Sequence, residues 1–290
     1  MGGGDPFAFF DSVATLDRSD RDKLDRRDVI VRILPARAGQ IGVFAASRLE
    51  APPDALVAWT QAIAELKKGP FVPAIRRFSE PPVPEDLDGL RLDEVDLEDI
   101  RKCRPGRCDV KLTADEIEWM RAAIASGGAA WTEAVQSEFH RVVLARLEAY
   151  RESVPDVAAS LTGYPDVDLT DSESFYYWSK ERYSTGKPVV AVTHVTIIRP
   201  GVPGRPEVVV LGKQVFATHY RNASLGMTAV VRDDVRDVRY LVYVNRSQVD
   251  VLGGVLGGIK RKLIEGRIKS ESSDLLARVR GRLESGEPPP

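Results

Sequence analysis

The chain lacks a strong charge of either sign: 41 Lys and Arg against 43 Asp and Glu leave a net charge of −2 and a pI near 6.0. A molecule without a positive field is not drawn as a whole to nucleic acid or to anionic lipid headgroups, which excludes a nucleic-acid partner held by bulk electrostatics. Long apolar runs are missing too. A stretch such as Val189–Ile198 falls well short of the roughly 20 residues of a membrane-spanning helix, so transient contact is the membrane role left open. No strand–glycine loop–helix signature for phosphate, no HExxH for zinc and no GxSxG for an acyl-enzyme occurs, and no cofactor is implied. There is no internal repeat.

Cysteine is scarce: two residues, Cys103 and Cys108, in the run Cys103-Arg104-Pro105-Gly106-Arg107-Cys108. The Pro-Gly turn between them lets the thiols meet in a small disulfide loop, which would fit an exported protein. Two free thiols and a zinc site are the competing readings; zinc needs two further ligands, and no histidine lies nearby in sequence. At the N-terminus, Met1-Gly2-Gly3-Gly4-Asp5-Pro6 has neither a charged leader nor an apolar signal core. Three glycines after Met1 are compatible with a cloning scar replacing a removed leader. The compartment stays open: periplasmic or secreted if a leader was lost, cytoplasmic otherwise.

What is present suffices for a sizeable core, since 43% of the 290 residues are apolar. Phe7 to Phe10 form a short apolar patch, and the charged run Asp17 to Asp28 reads as a helical arm on the surface. Residues 29–34 and 39–49 are rich in β-branched residues and bounded by Gly and Pro, which predicts two strands. Ala51-Pro52-Pro53-Asp54 then starts a helix, with proline at its first positions and an acid at the positive end of its dipole. Leu56, Trp59, Ile63 and Leu66 follow at spacings of three and four, so one face is buried. After a Pro- and acid-rich excursion, Thr113 and Glu116 make a capping box for a further helix. Gly127-Gly128 separates it from a longer one, and 152–174 is the best linker candidate. Beyond Ser174 the apolar period becomes two. Five strand-like runs, including 207–220 as one of them, form an antiparallel meander, and the chain closes on a long helix from about Gly253 to Leu283.

This order of elements resembles the START-like (helix-grip, SRPBCC-type) superfamily, in the manner of a bacterial member. The resemblance is carried by 44–59, an opening strand that runs through Leu49-Glu50-Ala51-Pro52 into a helix, and by Tyr240-Leu241-Val242-Tyr243-Val244-Asn245 followed by 253–263. It implies an α+β helix-grip fold, a curved antiparallel β-sheet wrapped around a long C-terminal helix, with a helical insertion. The expected divisions are an arm at 1–28, a single START-like domain at 29–285 with its core in 29–80 and 172–285, an insertion or lid at 81–171, and a disordered tail at 286–290. The resemblance also implies an internal apolar tunnel; most members of that superfamily bind and carry a sterol, phospholipid or polyketide, and a minority catalyse.

Several residues are candidates for contact with such a ligand. Gly253, Gly254, Gly257 and Gly258 form a smooth stripe at the start of the last helix. Each interior glycine costs about 1 kcal/mol relative to alanine, so the stripe needs a reason. Room for a ligand is one; close helix–sheet packing or a loop with unusual backbone angles is the other. His194 and His219 fall within strand-like runs beside apolar neighbours, which suits either a satisfied core histidine or a polar group reaching a ligand beside Tyr177 or Tyr220. His140, on an amphipathic helix, reads as structural or exposed. Phe175-Tyr176-Tyr177-Trp178 alternates two faces, one pair of which is placed to line the tunnel.

No serine is paired with a base in the sequence, so catalysis would have to be the cofactor-free acid–base kind, using a histidine or tyrosine in the pocket. The leading expectation is binding or transport of a hydrophobic small molecule. Beside it stand a cofactor-independent cyclase or isomerase and an interaction scaffold filled by its own aromatics. Ligand identity and oligomeric state are not readable from the sequence.

Overall fold

The computed structural model describes residues 5–153, 157–182, 186–250 and 257–287, with side chains of the last helix from residue 265 onward. In chain order the elements are α1 (Arg18–Asp25), β1 (Ile30–Leu34), β2 (Gln40–Leu49), α2 (Pro53–Gln61), α3 (Ile63–Lys67), β3 (Ala74–Arg77), α4 (Glu94–Lys102), α5 (Ala114–Gly127), α6 (Trp131–Glu152) and α7 (Val157–Ser160). Then come β4 (Ser172–Glu181), β5 (Val189–Ile198), β6 (Val208–Ala217), β7 (Arg221–Asp233), β8 (Val238–Val249) and α8 (Gly257–Glu284). The eight strands make one antiparallel sheet in the order β1-β2-β8-β7-β6-β5-β4-β3, and α8 lies along it, an α+β helix-grip architecture.

Alternation along each strand assigns its residues to two faces. Ala45 and Leu49 of β2, Phe175 and Tyr177 of β4, Val195 and Ile197 of β5, and Leu241 of β8 meet α2, α3 and α8 on one face, here called inner. The opposite, outer face is apolar as well. Val190 and Val192 of β5 pack with Tyr176, Trp178 and the α4–α6 block, while Ile198, on the same side of that strand, packs with Val209, Val242 and Phe44. Both faces are therefore covered. The far end of α8 is fixed to the N-terminal part of the molecule: Arg280 donates to the Arg27 carbonyl at 2.7 Å, and the Glu284 carboxylate accepts from the Glu50 N–H at 2.8 Å.

Several sequence expectations differ from this arrangement. The charged run read as a surface arm holds the helix α1, with only Asp20 and Leu24 of it buried, whereas the apolar patch before it is part of the outer layer: Phe7, Phe9 and Phe10 are buried, with Phe7 against Tyr240 at 5.0 Å and Phe10 against Phe44 at 6.1 Å between ring centres. Burying each is worth about 1.5–3 kcal/mol, and only such a layer keeps the outer side of β2 and β8 from water. The helical insertion is not a lid over the inner face; α4, α5 and α6 sit on the outer one. The linker candidate 152–174 is packed there too, with Leu161 buried and Tyr164 stacked on Phe9 at 5.1 Å. The run 207–220 is a strand only to Ala217. It then turns at Thr218-His219-Tyr220, with Tyr220 in the left-handed region at φ 60°. Gly128, at φ 52°, breaks α5 from α6 where the Gly-Gly pair predicts it. The edge strand β3 was not expected within its Pro-rich surroundings.

Candidate functional site

Between the inner face and α2, α3 and α8 lies a cavity of about 250 Å³. Its apolar wall comes from Leu56, Ile63, Val195, Val210, Leu276 and Val279. The room itself traces to two glycines. Gly212 of β6 and Gly226 of β7 face each other across the ladder and both line the cavity. A Cβ on Gly212 would meet only Thr193 Cγ2, at 3.7 Å, and one on Gly226 would first meet Asn245 Nδ2, at 3.5 Å, both ordinary contacts. The strands at these positions thus have space where a side chain would stand.

Polar groups gather along the same cavity. The Lys67 ammonium, on the last turn of α3, donates to the Tyr177 hydroxyl at 2.8 Å and lies 5.0 Å from that ring's centre. Arg221, the first residue of β7, pairs with Glu181, the last of β4, at 2.9 Å, and the Ser179 hydroxyl donates to the same carboxylate at 3.1 Å. Burial pulls the Lys67 pKa down, but Tyr177 and Glu181 more than offset it and hold the group above the ordinary lysine value. Burial pushes the Tyr243 hydroxyl up, so it remains a neutral donor. Gln214 Oε1 is buried without a donor among the described residues, an acceptor at the cavity with nothing to accept from.

Of the residues singled out in the sequence, Tyr177 lines the cavity. His194 is on the outer face, stacked on Tyr176 at 4.6 Å, with its Nδ1 3.2 Å from the Tyr150 hydroxyl. Burial and the nearby Tyr176 push Tyr150 up to about 12, so it is the donor and His194 Nδ1 the acceptor. His219 is in the turn after β6, where a carbonyl oxygen, that of Asp109, can only accept, so Nδ1 donates to it at 3.0 Å, while Nε2 meets Asp96 at 2.8 Å. It ties the cysteine loop and α4 to the sheet, away from the cavity. The Tyr220 hydroxyl accepts from the Lys187 N–H at 2.6 Å and is likewise a structural contact. His140 Nε2 donates to the Leu90 carbonyl at 2.7 Å. Cys103 and Cys108 are joined as a disulfide, which leaves no thiolate for zinc. Gly253 and Gly254 lie outside the described residues. Gly257 and Gly258 open α8, and their surroundings also lie outside what is described.

The sequence reading missed Gly212, Gly226, Lys67, Gln214 and Arg221. The glycines carried a signal, since glycine inside a strand-like run marks a place where something approaches the backbone closely. Lys67 did not: a lysine in the last turn of a helix ordinarily complements the dipole and points to water.

His194 has its own measurable consequence. Burial, with Lys213 adding to it, lowers its pKa from 6.5 to about 4. The unfolded chain takes up this proton near pH 6.5 and the folded chain does not until about pH 4. Stability from the neutral ring is therefore complete above the higher value and lost as pH falls to the lower, by at most about 3 kcal/mol. His194→Phe keeps the stack on Tyr176 and removes the titration. In urea denaturation it is expected to gain on the wild type steadily between about pH 7 and pH 4; a constant difference across that range would show that His194 does not titrate this way.

No protein-family model matches the chain, and no curated protein is significantly similar to it. Among solved structures, the crystal structure of human STARD10 aligns with 94% of this chain and 82% of its own, at 9% sequence identity and a TM-score of 0.38. The fold and the site are therefore defined by this chain's own strands, helices and cavity.

Proposed function

We propose that the protein binds and carries a hydrophobic small molecule, of the lipid, sterol or polyketide kind, within the cavity between the inner face of the sheet and α8. The observation that supports it is the cavity itself, apolar along α2, α3 and α8 and polar around Lys67, Tyr177 and Arg221. This is the pattern of a site that buries an amphiphile's body and orients its head. The cyclase or isomerase reading needs His194 or His219 at the cavity, and both are engaged elsewhere. The scaffold reading needs an interior filled by its own aromatics, whereas here paired glycines leave it open.

Titration of the delipidated chain with a polarity-sensitive fluorophore tests this. Saturable binding at one site, reversed by added lipid or sterol, is the expected result. A fluorophore signal that never saturates, or that no apolar competitor displaces, would overturn it.

A further inference from the structure

Resting on that reading, we propose that the carried molecule is an amphiphile with a carboxylate head, and that the head sits against Lys67, Tyr177 and Arg221 at the polar end of the cavity. The charged side chains lining the cavity, among the described residues, are Lys67, Arg221 and Glu181, two cations and one carboxylate. Arg221 and Glu181 answer each other at 2.9 Å, and Glu181 is further held by Ser179. Lys67, by contrast, makes its hydrogen bond to the Tyr177 hydroxyl and feels Glu181 only as a nearby charge, with no ion pair between them among the described residues. Lys67 is half-buried and lines the cavity with Ile63, Leu66 and Tyr177, where an opposite charge that joins it is screened less than it would be in open water.

The donors at this end favour an acceptor that carries charge. Lys67 presents an ammonium, and Tyr177, having accepted from it, still has its own O–H to give. Tyr243 lies within the electrostatic reach of Lys67, Arg221 and Tyr177 and stays a neutral donor. A carboxylate is acceptor-only and takes several such bonds at once, whereas an alcohol takes fewer and brings no charge. Gln214 Oε1 would in addition accept from a hydroxyl or N–H if the ligand has one, but the assignment rests on Lys67.

The test compares dodecanoate with dodecanol, the same chain with and without the charged head, each displacing the fluorophore from the full-length protein near pH 8. Dodecanoate is expected to bind about tenfold or more tighter than dodecanol. Lys67→Gln should erase that preference by weakening the acid and not the alcohol, Lys67→Arg should restore much of it, and Lys68→Gln, on the exposed neighbour, should leave it intact. Thermal melts of each variant show whether the fold is kept. Equal binding of acid and alcohol to the wild type would overturn the carboxylate assignment while the carrier function stands. If neither binds and the fluorophore does not either, the carrier reading fails, and this inference with it.

Discussion

Replacing Gly212 and Gly226 together by leucine is expected to weaken small-molecule binding by about a hundredfold, close to 3 kcal/mol, while the protein still folds. The two glycines are paired across β6 and β7, and neither has the positive φ that would forbid a side chain. Their Cβ positions make only ordinary contacts, so new side chains enter the cavity and not the packed core. Leucine in a strand is also at least as favourable as glycine, which forfeits backbone entropy and packs nothing. Were this region filled in the native protein, the same change would instead overpack it and cost about 1–3 kcal/mol of stability. The fluorophore titration and a thermal melt on the same sample separate the outcomes. Lost binding with a retained melting transition is expected; unaltered affinity in a folded variant would mean that the ligand sits elsewhere.

The largest effect on stability is expected at His219. This residue and Asp96 are 3% and 1% exposed, and each is the other's main polar partner. Because Nδ1 must donate to the Asp109 carbonyl, the contact at Nε2 is held by one proton between the ring and the carboxylate. His219→Leu leaves the Asp96 carboxylate buried with little besides the 3.4 Å contact from the Asp93 N–H, and should cost about 3–5 kcal/mol. Asp96→Asn is the informative partner. An amide can donate to Nε2 of a neutral ring, so this variant should lose only about 1 kcal/mol. Equilibrium unfolding in urea measures both. If the two variants lose the same amount, the pair contributes no more than its shape. The contact joins α4 and the cysteine loop to the turn that begins β7, the strand that brings Arg221 to the cavity. Lys187, which reaches both Asp99 and Asp109, and the Lys111 N–H bonded to the Thr218 carbonyl at 2.9 Å reinforce the same junction.

Much of the architecture was readable before any coordinates because the local signals were unambiguous. Pro52-Pro53-Asp54 begins α2 and Leu56 and Trp59 are buried at the spacing that predicts it, although the run breaks at Ala62 so that Ile63 and Leu66 belong to the separate α3, and the Thr113–Glu116 box caps α5. The meander and the final helix follow from the same logic of period two and then of a long amphipathic run. What the sequence could not separate was inside from outside. β5 is buried along nearly its whole length, so alternation says that His194 and Val195 oppose each other without saying which of them meets the cavity. The extra outer layer is the reason, and it depends on Phe7, Phe9 and Phe10 reaching back across the sheet, a contact between distant segments that no local pattern encodes. His219 was misplaced for a different reason: apolar alternation runs smoothly from Val208 into the turn, and the left-handed Tyr220 that ends it is not a glycine or an asparagine. Lys67 and Arg221 sit at the ends of their elements, where charge is ordinarily solvated, and only the tertiary fold turns them toward one cavity.

The most direct test of an internal hydrophobic ligand is mass spectrometry of the purified protein under native conditions, before and after delipidation and incubation with a total lipid extract. The expected result is one equivalent of added mass that is released into organic solvent and returns on incubation. A bare-chain mass under every one of these conditions would contradict it and leave the cavity without a ligand to explain it.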